Sequence, residues 1–478
     1  MNITVVGGGT AGWLAAYMLL KSQPGLHSVT VVESTSIGII GAGEGSTGFF
    51  TDVLNGHYSK DFININEFAS ACDATNKIGI KFRNWSGDGQ EFFSPLDGSP
   101  TAGVINDFIF KYVLSKYGRY KAHFASKIGL DYELGRNWDK FNSFHFNAHK
   151  VGQFFKNICM QEGIRYYDNI VNKVNLNSES GYIESILLDN GQLIESDFFI
   201  DCTGFARILM KALDVKWQDW SSFLPVNTAM PFLLDYREND RLVPWTTSTA
   251  LNAGWMWDIP LQNRRGCGYV YNKNFITQEN AKVEIENFLG REINPIKFID
   301  FVPGRSETFW KKNALCLGLA SCFVEPLQAT SIHTTIAQLV LFVMEFLKPD
   351  KNSVLLPESI NAYNRRTSKL YDLNLDFVSM HYQGGRTDTP FWKYVKENKI
   401  VSPYAQDVIT RTKNKIVSFH DIGNNYGAPA IGLWNWTMAG LGIITPEQAK
   451  ADLDYNGIYD HAERQYLKFL SQADVVYR

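Results

Sequence analysis

Three glycines near the start of the chain have the spacing that lets a backbone approach a pyrophosphate. In VVGGGTAGWLAAYMLLKS, Gly7, Gly9 and Gly12 make a GxGxxG run between an apolar strand (residues 2–6) and a helical stretch. Gly7 permits the turn, Gly9 allows close approach, and Gly12 lets helix and strand pack together. Gly8, Thr10 and Ala11 complete the turn and supply backbone N–H groups at a helix N-terminus, where an anion is stabilised. A second apolar strand, SVTVVE, ends on Glu33 with Ser34 behind it. That carboxylate stands about 20 residues beyond the glycines, where it can accept a hydrogen bond from a ribose hydroxyl. Strand, turn, helix and acid together predict a dinucleotide site.

Two further stretches favour FAD over NAD. IGAGEGSTG (40–48) is a second glycine-rich loop after the acidic strand, carrying Glu44 and Gly45 where an isoalloxazine would approach. FFIDCTGFAR (198–207) is an apolar strand running into Asp201, Thr203 and Gly204, the kind of return made by flavoproteins whose chain leaves the nucleotide domain and comes back. GIRYYDNIVNKVNLN (163–177) reads as one strand that brings Val171 to the adenine end. No second strand-turn-helix glycine fingerprint occurs, so no NAD(P)H site is expected.

The elements that position these groups belong to a chain of 478 residues, long enough for two or three units of roughly 100–200 residues each. Hydrophobic residues make up 45% and charged residues 20%, the balance of a globular protein with a large core. A net charge of −3 gives no electrostatic reason to expect nucleic acid or an anionic membrane as partner. The six cysteines form no CxxC pair and Met1 runs almost directly into a strand, so a cytoplasmic setting and no metal site are expected. The apolar run around Leu339 to Leu347 contains Glu345 and reads as a core helix rather than a membrane span. Fourteen per cent aromatic residues suit flat ligands as well as a core.

The chain resembles the flavin-dependent halogenases of the tryptophan halogenase type over nearly its whole length. GGGTAGW (7–13) matches the nucleotide turn of that family, and GAGEGST (41–47) is similar to its GVGEAT loop, with Glu44 retained. GWMWDIP (254–260) contains the diagnostic WxWxIP string at Trp255, Trp257, Ile259 and Pro260; RGCGYVY (265–271) is similar to the strand that follows it. LGLASCFVEPLQATSI (317–332) resembles the flavin- and halide-binding return.

The resemblance implies an α/β fold of the flavin monooxygenase type with an inserted substrate module. Its FAD-binding part would be discontinuous (about 1–50, 145–215 and 300–350 within residues 1–350), and a mostly helical region, 351–478, would close the substrate site. It implies that reduced FAD, supplied by a separate flavin reductase, reacts with dioxygen and a halide to give hypohalous acid, which a tunnel leads to a lysine beside an electron-rich arene. That lysine is Lys77, in ATNKIGIKFRNW (74–85), with Lys81 as a decoy; without the resemblance it would read as a surface charge. The halide falls to backbone groups at Thr330 and Ser331, where a loop enters a helix, while Leu319 and Ile332 lie against the flavin. An ordinary Thr or Ser helix cap is the bland reading of the same two residues. Trp255 and Trp257, two apart on a strand, face the same way and form a wall between flavin and substrate. Trp434 and Trp436 are candidate stacking surfaces, although packing explains one of them equally well.

One position departs from the pattern. Where the family carries a glutamate after Pro-Leu, paired with the lysine, this chain has Gln328. A neutral amide holds a geometry but cannot take the proton released when the arene regains aromaticity. Water or Lys77 would then accept it, and Glu325 is a candidate substitute. Indoles and phenols are the expected substrates, with bromide or iodide favoured over chloride. A flavin monooxygenase that hydroxylates its substrate, or a flavin-binding protein without catalysis, would share the nucleotide turn but need neither WxWxIP nor a tunnel lysine.

Overall fold

The computed structural model describes residues 1–38, 44–59, 61–96, 107–135, 143–412, 415–422 and 426–475. Gly41 to Gly43 of the second glycine-rich loop lie outside the described residues. Asn2–Val6 runs through the middle of a six-stranded sheet, parallel to Ser28–Glu33 on one side and Phe198–Asp201 on the other. Arg165–Asp168 and Ala314–Cys316 extend the parallel order outward, and Trp310–Lys311 adds an antiparallel edge. The runs ITVV, VTVV and FFI carry apolar side chains on both faces because a parallel sheet is covered on both sides. Helix Thr10–Ser22, apolar on nearly every face, packs between this sheet and the helices Ala148–Gln161 and Thr330–Leu341.

The stretch 163–177 is two strands, not one. Arg165–Asp168 belongs to the nucleotide sheet, whereas Val171–Leu176 pairs with Ile183–Leu188 in a separate antiparallel sheet. Asn169 breaks the run: its backbone N–H donates to the Glu33 carbonyl, and its side chain donates to Asp189. Hydrogen bonding at the edge of the sheet overrides what reads locally as continuous β propensity.

A seven-stranded sheet forms the second layer, with Gly254–Pro260 between Trp245–Ala250 and Arg265–Tyr271. Gly79–Arg83 joins it in parallel alongside Trp245–Ala250. From Lys351 onward every regular element among the described residues is a helix. The longest, Pro357–His381, buries a continuous face ending at Phe377, Val378 and His381. No described helix is long and apolar enough to cross a membrane.

Candidate active site

The glycine turn is sterically committed. Gly7 has φ +112°, and a Cβ there would lie 2.2 Å from the Cys202 carbonyl oxygen; a Cβ on Gly12 would lie 1.9 Å from the Gly7 carbonyl oxygen. The helix that follows begins after Gly9 without any side-chain cap, so the first-turn N–H groups beginning at Thr10 and Ala11 are not consumed by a capping residue. The return segment meets this turn directly. Gly318, with φ +59°, would place a Cβ 2.8 Å from that of Ala11, and the short 3-10 turn Gly318–Ala320 carries half-buried Leu319 beside it.

Glu33 folds over Gly8, where a Cβ would collide with its carboxylate at 1.5 Å. Trp13 Nε1 donates to Glu33 Oε2 at 3.1 Å, while Tyr166 Oη (2.8 Å) and Lys156 Nζ both donate to Oε1. Oε2 therefore retains acceptor capacity for a hydroxyl. Ser34 follows at the rim, its hydroxyl 2.7 Å from that of Ser36, and Val171 starts the neighbouring antiparallel sheet opposite Leu188. These features fit FAD: an uncapped helix start for the pyrophosphate, glycines that no other residue can replace, and an anchored carboxylate one strand away. Asp201 has a different task. Its buried carboxylate accepts from the N–H groups of Leu209 (2.9 Å), Met210 (3.0 Å) and Thr203 (3.0 Å), which makes it a cap for the short helix Ile208–Ala212.

A small three-stranded sheet joins the flavin side to Lys77. Its central strand is Phe144–Phe146, with Glu44–Gly45 on one edge and Thr75–Asn76 on the other, so that His145 stands opposite both Gly45 and Thr75. Backbone bonds extend both pairings: Ser46 N–H donates to the Phe144 carbonyl (2.7 Å) and Lys77 N–H to that of Ser143 (2.9 Å). The Lys77 side chain, 0% exposed, then crosses between the edges and donates from Nζ to the Ser46 carbonyl at 3.2 Å. Burial pushes the Lys77 amine down to about 7. Burial also pushes the carboxyl of half-buried Glu44 up to about 7. The decoy, Lys81, instead pairs with Glu91 at 3.1 Å and rests on the Trp245 ring.

Two histidines that the sequence did not single out flank Lys77. Thr75 Oγ1 donates to the carbonyl of Pro260, the last residue of WxWxIP, at 2.6 Å, and lies 3.3 Å from His145 Nδ1. His145 Nε2 is 2.9 Å from Thr246 Oγ1. Burial, and then the positive charge of Lys77, holds His145 well below the usual imidazole range, so it is neutral. His333 Nε2 donates to the Gly427 carbonyl at 2.7 Å, leaving Nδ1 to accept from Thr47 Oγ1 at 2.7 Å. His333 ties the Glu44–Thr47 loop to the helix expected to hold the halide.

That helix, Thr330–Leu341, starts at Ala329, whose φ of +54° is left-handed, and no side chain caps it. Thr330 and Ser331 are thus the first helical residues rather than the cap, and their backbone N–H groups are not satisfied by a side-chain cap. Thr330 is buried and Ser331 exposed, and Ile332 faces inward.

Trp255 and Trp257 lie on one face of the Gly254–Pro260 strand, ring centroids 6.3 Å apart. Trp257 covers Gly268 on the adjacent strand, where a Cβ would lie 2.1 Å from the indole. Trp255 continues into an aromatic group that the sequence did not reveal, with Trp85 at 6.2 Å and Tyr382 beyond it at 5.7 Å from Trp85. The Tyr382 hydroxyl meets both Glu325 oxygens, at 3.0 and 2.9 Å. Burial pushes Glu325 up to about 8. The Trp255 N–H is near enough to Glu325 to offset part of that rise, yet its geometry makes no hydrogen bond.

Gln328 is not paired with Lys77. Its Nε2 is 2.7 Å from His381 Nε2, on the end of the long helix, and the His381 ring packs against Phe82 at 5.4 Å. Trp434 packs on Phe377 of the same long helix at 5.4 Å, and its indole N–H has no partner among the described residues. Trp436, two residues on and therefore on a different face of its helix, is equally buried. An open cleft of about 720 Å³ lined by Thr308, Asn364, Lys369, Asp372 and Tyr404 contains none of these residues.

Comparison with known proteins places this arrangement. The tryptophan halogenase family model matches residues 2–454. The chain is 32% identical to tryptophan 7-halogenase RebH of Lentzea aerocolonigenes, over 84% of this chain and 79% of that one. It is also 32% identical to 7-chloro-L-tryptophan 6-halogenase KtzR of Kutzneria sp. (strain 744), over 95% and 93% of the two chains. Among solved structures, Xcc4156, a flavin-dependent halogenase from Xanthomonas campestris, superposes with a TM-score of 0.83 at 27% identity, covering 98% of this chain and 96% of that one. The chain belongs to the tryptophan halogenase family and is a flavin-dependent halogenase, an oxidoreductase that works with FAD reduced by a separate flavin reductase.

Proposed function

We propose that this enzyme oxidises a halide at the flavin and that Lys77 directs the resulting hypohalous acid onto an electron-rich arene such as an indole or phenol. The observation that carries this reading is the placement of Lys77: sealed from solvent, its amine bonded among the described residues to the Ser46 carbonyl, joined by backbone pairing through Phe144–Phe146 to Glu44–Gly45, and two residues beyond Thr75, whose hydroxyl bonds the end of WxWxIP.

When bound, reduced FAD supplies with dioxygen the oxidising equivalent that the halide needs. Gly7 to Gly12 would hold its pyrophosphate, and Glu33 with Ser34 its ribose. Val171 and Leu319 would flank the adenine side, and Glu44, Gly45 and Ile332 the ring. Thr330 and Ser331 offer backbone N–H groups rather than a cation, so a halide can be held without being trapped. A lysine near neutrality acts in both protonation states. As an ammonium it donates to the hypohalous oxygen and sharpens the halogen; as an amine it accepts a proton. Trp255 and Trp257 separate the two chambers.

Residues 1–350 would form the FAD-binding unit with its inserted substrate module. The helices of 351–478 would close the chamber, since His381 reaches Gln328 and Tyr382 packs on Trp85, which in turn packs on Trp255. Six free cysteines, five of them buried, agree with a reducing cytoplasmic setting. Without a carboxylate at Gln328, the more easily oxidised bromide or iodide would be favoured over chloride.

The test is turnover with a flavin reductase, each of the three halides, and a panel of indoles (tryptophan included) and phenols, followed by mass spectrometry. Halogenated arene that disappears in Lys77→Met supports the proposal. A gain of one oxygen indicates a monooxygenase, and chloride preference sinks the halide assignment.

A further inference from the structure

The hydrogen bond between Gln328 and His381 has a direction that the other ring nitrogen determines. His381 Nδ1 lies 2.8 Å from the Phe377 carbonyl oxygen, which can only accept, so Nδ1 carries a hydrogen. The ring is shut in by Phe82, Trp85 and Phe377, and the only side chain among the described residues hydrogen-bonded to it is the uncharged Gln328. Burial holds its imidazole down at about 4, which makes it neutral. Nε2 must then accept, and Gln328 must donate across the 2.7 Å contact.

The consequence falls on the other end of the amide. With one N–H given to His381, Gln328 is held against a flip, and its carbonyl oxygen points away from the histidine. That oxygen takes no hydrogen bond from the described residues, and it is not among the sealed, unpaired polar atoms of the core. We infer that His381 is a positioning residue that turns Gln328 so that its carbonyl oxygen, a neutral acceptor, meets the N–H or O–H of the arene. This deepens the proposed function and rests on that reading, with Gln328 taken to face the arene as the resemblance at this position implies. Glutamate at this place would accept as well. Against the Nε2 lone pair, however, it would need an extra proton, on its own carboxyl or on His381.

The specificity that follows is for arenes bearing a donor. A site built to accept a substrate N–H or O–H discriminates against the analogue that lacks it, because the buried acceptor is left unpaired.

Two measurements on the intact enzyme test this. Imidazole nitrogen NMR of the wild type, with the His381 signal identified among nine histidines by its loss in His381→Phe or its shift in Gln328→Leu, should show the neutral Nδ1–H form. The Nε2–H form would overturn the inference, because Gln328 would then present its amide N–H groups. Competition between indole and N-methylindole should favour indole by about tenfold, a single hydrogen bond's worth, and the preference should fall towards one in Gln328→Leu. A preference unchanged by that substitution would also overturn it. If no arene is halogenated at all, the proposed function fails, while the NMR result still decides how His381 holds Gln328.

Discussion

Lys77 Nζ and the Ser46 carbonyl oxygen are 3.2 Å apart although the residues come from opposite edges of a three-stranded sheet, and this contact joins the Glu44–Thr47 loop to the lysine proposed to direct the halogen. No carboxylate among the described residues pairs with the amine. Desolvation alone lowers its pKa, and the carbonyl dipole of Ser46 is what holds it. Gly45 leaves room for this contact, since a Cβ there would lie 2.7 Å from Lys77 Nζ and push the amine aside.

Replacing Lys77 with methionine keeps the volume and removes the chemistry. Halogenated product should fall by about 10²–10⁴-fold, the range of a positioned proton-transfer group, while halide-dependent flavin oxidation persists. Stability should move the other way. Between the folded value of about 7 and the ordinary 10.5, the unfolded chain carries a proton that the folded chain lacks, so wild-type stability rises with pH across that window. The melting temperature of Lys77→Met should exceed that of wild type most below pH 7, and the gap should close towards pH 10. A constant gap would mean that Lys77 is not buried as described.

Glu325 gives the opposite slope. Its folded carboxyl, raised from 4.5 to about 8, keeps a proton that the unfolded chain loses above 4.5, so stability falls as pH rises through that interval. Glu325→Gln should flatten the loss in a thermal-denaturation series from pH 5 to 9. A slope unaltered by the substitution would rule out a protonated Glu325 beneath Tyr382.

At the proposed wall, Trp255→Phe keeps an aromatic ring but would shorten the barrier. The ratio of oxygenated to halogenated product should rise severalfold by mass spectrometry. Trp255→Ala should lose about 3–5 kcal/mol of stability as well. An unchanged product ratio in the phenylalanine variant would leave Trp255 with packing alone.

Gly12→Ala tests the nucleotide turn. Its methyl would sit 1.9 Å from the Gly7 carbonyl oxygen, so the turn must open. A stability loss of about 1–3 kcal/mol and weaker FAD binding, read by flavin fluorescence titration, are expected. Undiminished FAD affinity would show that the turn is not where the pyrophosphate sits.

What the sequence by itself determined is what depends on neighbours in the chain. The GxGxxG turn is legible because its spacing, between a strand and a helix, lies within a few residues, and the Gly12 collision with the Gly7 carbonyl is local to it; the Gly7 collision, with the distant Cys202 carbonyl, is visible only in the structure. The shared face of Trp255 and Trp257 follows from strand parity. Residues whose state depends on distant partners were not legible. Lys77 reads as a surface charge until Ser46 and Ser143 close over it, because desolvation belongs to the whole interior rather than to a motif. The break at Asn169 comes from a hydrogen bond to Glu33, and the roles of His145, His333 and His381 come from partners 53 to 286 residues away. For His381 no local signal exists. Its tautomer, and with it the orientation of Gln328, is decided by a carbonyl one helical turn away and an amide 53 residues distant, which only the tertiary structure brings to opposite sides of one ring.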